Sequence, residues 1–236
     1  RINLIDQKIY HLKKISLDFL IIIKFNKLFS NISADNFIKK KLVKKLKSKY
    51  IFVSRNFRFG KKRCGNIDML KKFEKKYSYK TIVTIPYQKN KKIISSTLIR
   101  KNIVRGKVDN VQKLLGKPWS IKGEVIKGEK RGRKIGFPTC NIKWGQYALP
   151  KLGVYAVKVE SKNFKKKGIA NIGYKPTFNG KTLLLEVNIF GIKKNLYKNI
   201  LKVSFIKFIR PEKKFKNISD LKNQIKKDII TAKNNV

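Results

Sequence analysis

The spacing of apolar residues changes near Gly116-Lys117-Pro118, and this change constrains the fold more than any other feature of the sequence. Before it, continuous apolar runs alternate with helical stretches, a pattern typical of buried parallel strands in a β-α-β sheet. After it, strand candidates follow one another between short Gly, Pro and Asn turns, which is typical of a small antiparallel barrel or sandwich. We therefore predict an α/β domain over residues 1–117 and an all-β domain over residues 118–236.

The same patterns predict the individual elements. In the first domain we expect strands at the apolar runs 18–25, 50–53 and 81–85, and helices over 34–48 and 66–77. In the second domain we expect strands over 119–127, 153–160, 168–174, 182–190 and 200–209, followed by a helix over 218–233. Leu221, Ile225 and Ile229 form an apolar stripe on that helix, so we expect it to pack on the barrel. Ser219 is the expected N-cap.

The charge balance, 60 Lys and Arg against 13 Asp and Glu, gives a net charge of +47 and first suggests a nucleic-acid partner. Only nine of the 60 are Arg, the residue best suited to phosphates and guanine edges, and the charge is spread over both halves of the chain. We therefore expect no specific nucleic-acid partner. The alternative is a basic RNA-binding module that presents Trp119, Trp144 and Tyr155 to bases.

Several classes of protein do not fit this sequence. The apolar run 19–23 ends at Lys24 and is far shorter than the ~20 residues of a membrane helix, and no secretion leader opens the chain, so we expect a cytoplasmic protein. Cys64 and Cys140 form no C-x-x-C pair, which supports neither a disulfide framework nor a zinc site. The single histidine, His11, lies in a polar helical stretch that offers nothing for metal or nucleophilic catalysis, so we expect no Ser-His-Asp or Cys-His arrangement.

Residues 123–141 combine glycines with basic side chains. Gly128 and Gly132 allow the backbone to approach phosphates closely, and counter-charges come from Lys130, Arg131 and Arg133. This is no P-loop, because Glu129-Lys130 stands where that motif requires Lys followed by Ser or Thr.

The end of this stretch, Pro138-Thr139-Cys140-Asn141, favours extended backbone. In that geometry Thr139 and Asn141 project on the same face. A hydroxyl and an amide oxygen side by side suit Mg2+ carrying a nucleotide phosphate. The alternative is a Gly-rich turn at a corner of the barrel.

The strand 183–190 places Glu186 and Asn188 on one face and apolar residues on the other. A carboxylate in an apolar strand could orient or deprotonate a substrate hydroxyl. The alternative is a surface ion pair between Glu186 and one of the many lysines.

The first domain contains two candidate ligand loops. Ser95, Ser96 and Thr97 precede a predicted helix, and Arg100 lies one turn inside it, an arrangement that attracts phosphate. Asn56 follows the strand ending at Val53, at the edge where open sheets bind ligands. The alternatives are an ordinary capped helix and a loop anchored by two phenylalanines.

Together these motifs resemble the bacterial bifunctional riboflavin kinase/FMN adenylyltransferase family, also called FAD synthetase, over essentially the whole chain. The second half carries the most specific ones: G-x-V-x-x-G-x-x-x-G-R-x-x-G-F-P-T-x-N over 123–141, G-V-Y-A-V over 153–157, A-N-I-G-x-x-P-T-F over 170–178, L-E-V around Glu186, and R-P-E-x-K-F over 210–215. In the first half, N-F-R-F-G and S-S-T-x-I-R look like the rear portion of the family's nucleotidyltransferase domain.

The resemblance implies a partial Rossmann-like domain followed by a riboflavin kinase barrel with a C-terminal helix. It implies that Thr139 and Asn141 hold Mg2+ and ATP, that the loop 128–133 covers the phosphates, and that Glu186 is the catalytic base for the terminal ribityl hydroxyl. Arg210 and Asn188 are the expected flavin-binding residues, and riboflavin, ATP and FMN the small-molecule partners. The remaining alternative is a pseudoenzyme that binds flavin without turnover.

The sequence departs from the family in several places. The opening G-x-F-D-G-x-H-x-G-H signature, which holds ATP for adenylyl transfer, has no counterpart, so we expect a truncated, inactive first domain. Asn56 stands where Asp is usual and Asn188 where His is usual. Gly191 and Lys198 also replace family residues on the flavin side. We expect these changes to weaken flavin affinity, while Thr139, Asn141 and Glu186 are kept.

Overall fold

The computed structural model describes residues 1–89, 92–177, 180–192 and 194–236. It divides into two compact units, Ser16–Ile93 and a larger one that joins Arg1–Ile15 to Ile94–Val236. The first helix, α1 (Ile5–Lys13), belongs to the larger unit. Residues 94–117 also pack with the larger unit, although the sequence analysis assigns them to the first domain; the domain boundary at 117 stays a prediction.

The smaller unit is α/β and is built around two parallel strands. Its elements are α2 (Lys27–Ser30), α3 (Ala34–Asn36), a π-helix (Phe37–Lys45), β1 (Tyr50–Ser54), a 3-10 turn (Lys61–Arg63), α4 (Ile67–Lys72), α5 (Glu74–Tyr77), β2 (Lys80–Thr84), β3 (Gln88–Lys89) and β4 (Lys92–Ile93). Strands β1 and β2 pair in parallel, which confirms the β-α-β prediction for this stretch. The core contains Ile38, Leu70 and Tyr79.

The expected strand over 18–25 is wrong. Residues 18–25 are in neither a helix nor a strand, and Phe19 is 87% exposed. A strand needs a neighbour that satisfies its backbone N–H and C=O groups, and no strand in the described residues pairs with this run. Apolar content alone therefore does not make a strand here.

The larger unit is a closed six-stranded barrel with helices packed outside it. After α1 come α6 (Ser96–Val104), α7 (Val108–Leu115), β5 (Trp119–Ile126), α8 (Arg131–Lys134), β6 (Cys140–Ile142), β7 (Gly153–Glu160), β8 (Lys165–Thr177), β9 (Gly180–Ile189), β10 (Ile200–Arg210) and α9 (Ile218–Asn235). The strand order is β10-β5-β6-β9-β8-β7, and every pair is antiparallel, which confirms the barrel prediction. Strand β6, three residues long, is absent from the predicted strands.

Aromatic and branched side chains fill the barrel. The Trp119 and Phe205 rings stack with centroids 5.0 Å apart, and Tyr155 meets Phe205 edge-on at 5.3 Å. Trp119 is 1% exposed and Tyr155 is fully buried. These two rings stabilise the core and cannot stack on nucleic-acid bases, as the RNA-binding alternative requires.

Helix α9 packs against β7, β8 and β10. Its N-cap is Asn217, whose side-chain oxygen accepts a hydrogen bond from the Asp220 N–H at 2.8 Å, so the expectation for Ser219 is wrong. Both residues are good caps by type, and the choice depends on where the chain leaves the barrel. No helix in the described residues is long and apolar enough to cross a membrane.

Candidate functional site

A cleft of about 410 Å³ opens in the larger unit between the barrel, the loop after β5 and helix α9. Nine of the predicted site residues line it: Gly128, Lys130, Arg131, Gly132, Thr139, Asn141, Glu186, Asn188 and Arg210. The sequence motifs therefore meet at one place, although they come from four separate stretches of the chain.

The floor of the cleft is one row of residues that runs across all six strands, and we call it the cross-strand row. Register pairs join its members in the order Ile126 (β5), Asn141 (β6), Glu186 (β9), Asn171 (β8), Val154 (β7) and Arg210 (β10). All six line the cleft. From Asn141 to Arg210 the row crosses four strand spacings, about 19 Å measured along the sheet.

Glu186 lies between two amides in this row. It is the register partner of Asn141 on one side and of Asn171 on the other. Side chains paired in this way have Cβ atoms about 5 Å apart, so the carboxylate and both amides share one part of the cleft. The alternation predicted for 183–190 is confirmed, because Leu185, Val187 and Ile189 are buried while Glu186 and Asn188 are half-buried.

The glycines of the loop after β5 allow it to lie directly against Asn141. A Cβ atom at Gly128 would stand only 1.5 Å from Asn141 Nδ2. A Cβ atom at Gly132 would stand 2.5 Å from the Phe137 carbonyl oxygen and 3.2 Å from Thr139 Oγ1. Because no side chain fits at either position, the loop backbone covers Thr139 and Asn141 only with glycine in place.

The Asn141 amide oxygen is buried and accepts no hydrogen bond within the protein. Such an atom costs free energy unless a ligand, an ion or water satisfies it. Together with the Thr139 hydroxyl and the Glu186 carboxylate it supplies oxygen donors of the kind Mg2+ prefers. The described residues hold no cluster of three or more His, Cys, Asp or Glu, so an ion here would need phosphate oxygens to complete its coordination.

The loop carries three basic side chains, and those of Lys130 and Arg131 line the cleft. Lys130 has a positive φ of 56° and precedes the short helix α8. Arg131 lines the cleft and pairs with Glu129 at 2.5 Å, both side chains being well exposed. Arg133 is exposed on α8 and, unlike its neighbours, does not line the cleft.

At the β10 end of the cross-strand row, Arg210 forms an ion pair with Asp228. Arg210 donates to both carboxylate oxygens of Asp228 on α9 at 2.7–3.0 Å, and Gln224 donates to the same carboxylate at 2.8 Å. Asp228 is 3% exposed. Arg210, an expected flavin-binding residue, therefore ties β10 to α9, although its side chain also borders the cleft.

Asn188 also has a local role. Its side-chain amide donates a hydrogen bond of 2.6 Å to the Pro138 carbonyl oxygen, which fixes the segment carrying Thr139 against β9. Near Arg210 the cleft wall is apolar, with Phe215, Leu221 and Ile225 in it. This part of the cleft suits a flat apolar ring.

The candidate residues of the first domain lie outside this cleft. Asn56 is exposed in the smaller unit. Ser95 caps α6 by accepting from the Leu98 N–H at 3.2 Å, and Arg100 donates to the Thr97 hydroxyl at 3.3 Å, while Ser96 begins the helix. These contacts are those of a capped helix, and a ligand role for the five residues stays a prediction.

Two lining residues, Asn171 and Asp228, are not predicted from the sequence, nor is Gln224, which donates a hydrogen bond to Asp228. Asn171 stands in the quoted A-N-I-G motif, but only strand register shows that it neighbours Glu186. Asp228 and Gln224 lie on α9, where Leu221, Ile225, Asp228 and Ala232 follow helical spacing. A single acid on an apolar stripe is a signal that could have found Asp228.

Comparisons with known proteins agree with this geometry. A family model described as riboflavin kinase matches residues 115–236, and one described as FAD synthetase matches residues 1–98. A bifunctional riboflavin kinase/FMN adenylyltransferase from Buchnera aphidicola subsp. Schizaphis graminum is 44% identical over 99% of this chain and 76% of its own length. The protein of the same description from Haemophilus influenzae is 41% identical over 99% of this chain and 76% of its own length.

A solved structure shares the fold of the whole chain. It is described as a macrolide-efflux protein from Streptococcus pneumoniae and is 31% identical, with a TM-score of 0.88 over 99% of this chain and 75% of that chain. The arrangement of strands and helices described above is therefore also found in an experimentally determined relative.

Proposed function

This chain belongs to the bifunctional riboflavin kinase/FMN adenylyltransferase family, and from that premise we propose that its barrel transfers the γ-phosphoryl group of ATP to the terminal ribityl hydroxyl of riboflavin, forming FMN. The observation that carries the proposal is the cross-strand row, which puts Glu186 next to Asn141 at one end of a cleft whose other end has an apolar wall beside Arg210. ATP phosphates lie at the Asn141 end, and the flavin ring lies toward Arg210 and α9.

At the nucleotide end, the loop 128–133 covers the triphosphate. Its backbone N–H groups, with Lys130 and Arg131, offset the negative charge that grows on the phosphate oxygens during transfer. Thr139 and Asn141 hold Mg2+ through their side-chain oxygens, and the unpartnered Asn141 oxygen supports this assignment. Mg2+ held there would supply positive charge that offsets the negative charge of the phosphate oxygens.

At the acceptor end, Glu186 takes the proton of the ribityl hydroxyl. The hydroxyl oxygen forms the new O–P bond as the bond from the γ-phosphorus to the ADP oxygen breaks, and ADP leaves with that electron pair. Asn171, the other row neighbour of Glu186, is placed to hydrogen-bond the ribityl chain and hold the hydroxyl in line. The Arg210–Asp228 pair acts indirectly, because it fixes α9 and with it the apolar wall.

For the first domain we propose that these 236 residues make no FAD from FMN. Within these residues, Asn56 stands where the family usually has Asp. Within the α6 N-terminus, the Ser95 and Thr97 hydroxyls are engaged in hydrogen bonds with neighbouring residues.

The test is a reaction of the purified chain with riboflavin, ATP and Mg2+, with products separated by chromatography and detected by flavin fluorescence. We expect FMN and no FAD. Riboflavin binding without any FMN would establish the pseudoenzyme alternative and overturn the kinase proposal. Production of FAD from FMN would contradict the proposal for the first domain.

A further inference from the structure

A second cavity, of about 630 Å³, lies in the larger unit between helix α1 and the outer faces of β5, β7 and β10. Its walls are firmly held. Gln7, 4% exposed, donates to the Ser120 carbonyl oxygen at 2.9 Å, and the Trp119 indole N–H donates to the Ile2 carbonyl oxygen at 2.8 Å. None of the residues that line this cavity lines the cleft described above.

Four lysines line this cavity, Lys122, Lys162, Lys198 and Lys202, and Lys14 reaches the ring of the lining residue Tyr10. The ammonium groups of Lys14 and Lys122 stand 4.7 and 5.9 Å from the centre of the same Tyr10 ring. The pKa of Tyr10 lies below its usual value because its hydroxyl is hydrogen-bonded to Lys14 and surrounded by ammonium charges, which favour the phenolate.

The pKa of His11 is affected by the same positive charges. Its pKa lies below the usual value, first because burial disfavours the imidazolium and then because four ammonium groups repel it, those of Lys117, Lys14, Lys202 and Lys122. The pKa of Lys117 is also lowered, by burial and then by repulsion from its neighbours Lys14 and Lys202. These cations therefore act on one another.

Little negative charge balances them. Among the described residues that line the cavity, Glu160 is the one acid, and its carboxylate pairs with Lys202 at 3.1 Å and with Lys165 at 3.8 Å. Lysines are abundant over the whole chain, but here several face one concave space together with neutral hydrogen-bond donors. Those donors are Ser161, Asn163 and Asn199.

We propose that this cavity binds a compact polyphosphate anion, represented by pyrophosphate. Several ammonium groups held together need a partner with more than one negative charge, and lysine acts as a point charge that suits phosphate oxygens. Hydroxyl and amide groups supply the remaining donors. The volume of about 630 Å³ lies in the range of small-ligand pockets and leaves room for a compact anion.

The test follows the imidazole NMR signals of His11 during a pyrophosphate titration, because His11 is the single histidine and lines only this cavity. We expect saturable shifts and a His11 pKa that rises on binding, since the anion neutralises the repelling charges. Binding of pyrophosphate in the catalytic cleft leaves this signal unchanged, so the result is independent of the kinase proposal.

Two matched double variants distinguish binding at this cavity from a general effect of the protein's net positive charge. Lys14→Gln/Lys122→Gln removes the two cations over the Tyr10 ring, and Lys39→Gln/Lys40→Gln removes two exposed cations from the smaller unit. We expect the first to weaken the binding reported by His11 by about tenfold and the second by less than about twofold, with FMN formation unchanged in both.

Three outcomes would overturn the proposal. One is a His11 signal that does not move at pyrophosphate concentrations up to about 10 mM. Another is equal weakening in the two double variants, which would mean a diffuse effect of net charge. The third is a short RNA that shifts His11 at lower concentration than pyrophosphate does, which would assign the cavity to nucleic acid.

Discussion

The two ends of the cross-strand row differ in how their polar groups are satisfied. At the Asn141 end a buried amide oxygen has no protein partner and glycines bring a loop against it. At the Arg210 end the guanidinium and the Gln224 amide both donate hydrogen bonds to the buried Asp228 carboxylate. Both ends are polar and border the same cleft, so the difference separates groups left for a ligand from groups used for structure.

The largest expected effect is on catalysis at the centre of the row. Glu186→Ala removes the proposed proton acceptor, so kcat for FMN formation should fall by about 10²- to 10⁴-fold, with the melting temperature close to that of the unchanged protein. Initial rates with saturating riboflavin and Mg-ATP measure this. Glu186→Gln, which keeps the shape, should be as inactive; full activity in either variant contradicts the assignment.

The next effect is on stability at the Arg210 end. Asp228→Ala leaves Arg210 without its buried partner, which typically costs about 3–5 kcal/mol in unfolding free energy. Denaturant unfolding followed by the fluorescence of Trp119 and Trp144, which both lie in the larger unit, measures this loss. Arg210→Ala should cost a similar amount, and the double variant should cost less than the two single losses added together. Additive losses would mean that the pair is not coupled.

Asn141→Ala is the counterpart at the other end. It removes an oxygen that has no hydrogen-bond partner, so the unfolding free energy should change by less than about 1 kcal/mol. The apparent affinity for Mg-ATP should nevertheless fall by about tenfold or more, as measured by the dependence of the initial rate on Mg-ATP. A large loss of stability with an unchanged KM for Mg-ATP would mean that Asn141 has a structural role and does not bind the nucleotide.

Gly128→Ala tests the loop without removing a polar group. The new Cβ would displace the Asn141 side chain, so KM for ATP should rise by about tenfold while riboflavin binding is kept. Gly136→Ala is a control in the same stretch, because nothing lies within 4 Å of a Cβ there and only its φ of 91° is unfavourable. Equal effects of the two substitutions on KM would argue against contact with Asn141.

The smallest effect concerns the start of α9. Asn217→Ala removes the N-cap and should cost about 1 kcal/mol in unfolding free energy, because the Asp220 N–H loses its partner. Ser219→Ala should leave stability nearly unchanged. A larger loss from Ser219→Ala than from Asn217→Ala would mean that Ser219 is the N-cap in solution, as the sequence predicts.

Local patterns in the sequence predict much of this molecule. Period-two alternation assigns Glu186 to the polar face of its strand, and Pro138 indicates the extended segment that carries Thr139 and Asn141. Both follow from interactions between residues close in the chain. They predict which side chains enter the barrel's cleft.

Other features depend on contacts between distant residues. That Glu186 neighbours Asn171 follows from strand register, and the partner of Arg210 is a residue on a helix 18 positions away. The apolar composition of residues 18–25 predicts a strand, but no strand in the described residues pairs with this run. Sequence pattern alone predicts neither the register nor the partner.

The most direct test of the central claim is a crystal structure of the chain with riboflavin, Mg2+ and a non-hydrolysable ATP analogue. The account predicts the terminal ribityl hydroxyl within about 2.6–3.2 Å of the Glu186 carboxylate, and the metal beside Thr139 and Asn141. A riboflavin whose ribityl hydroxyl lies out of reach of Glu186, or an analogue bound away from Asn141, would contradict it.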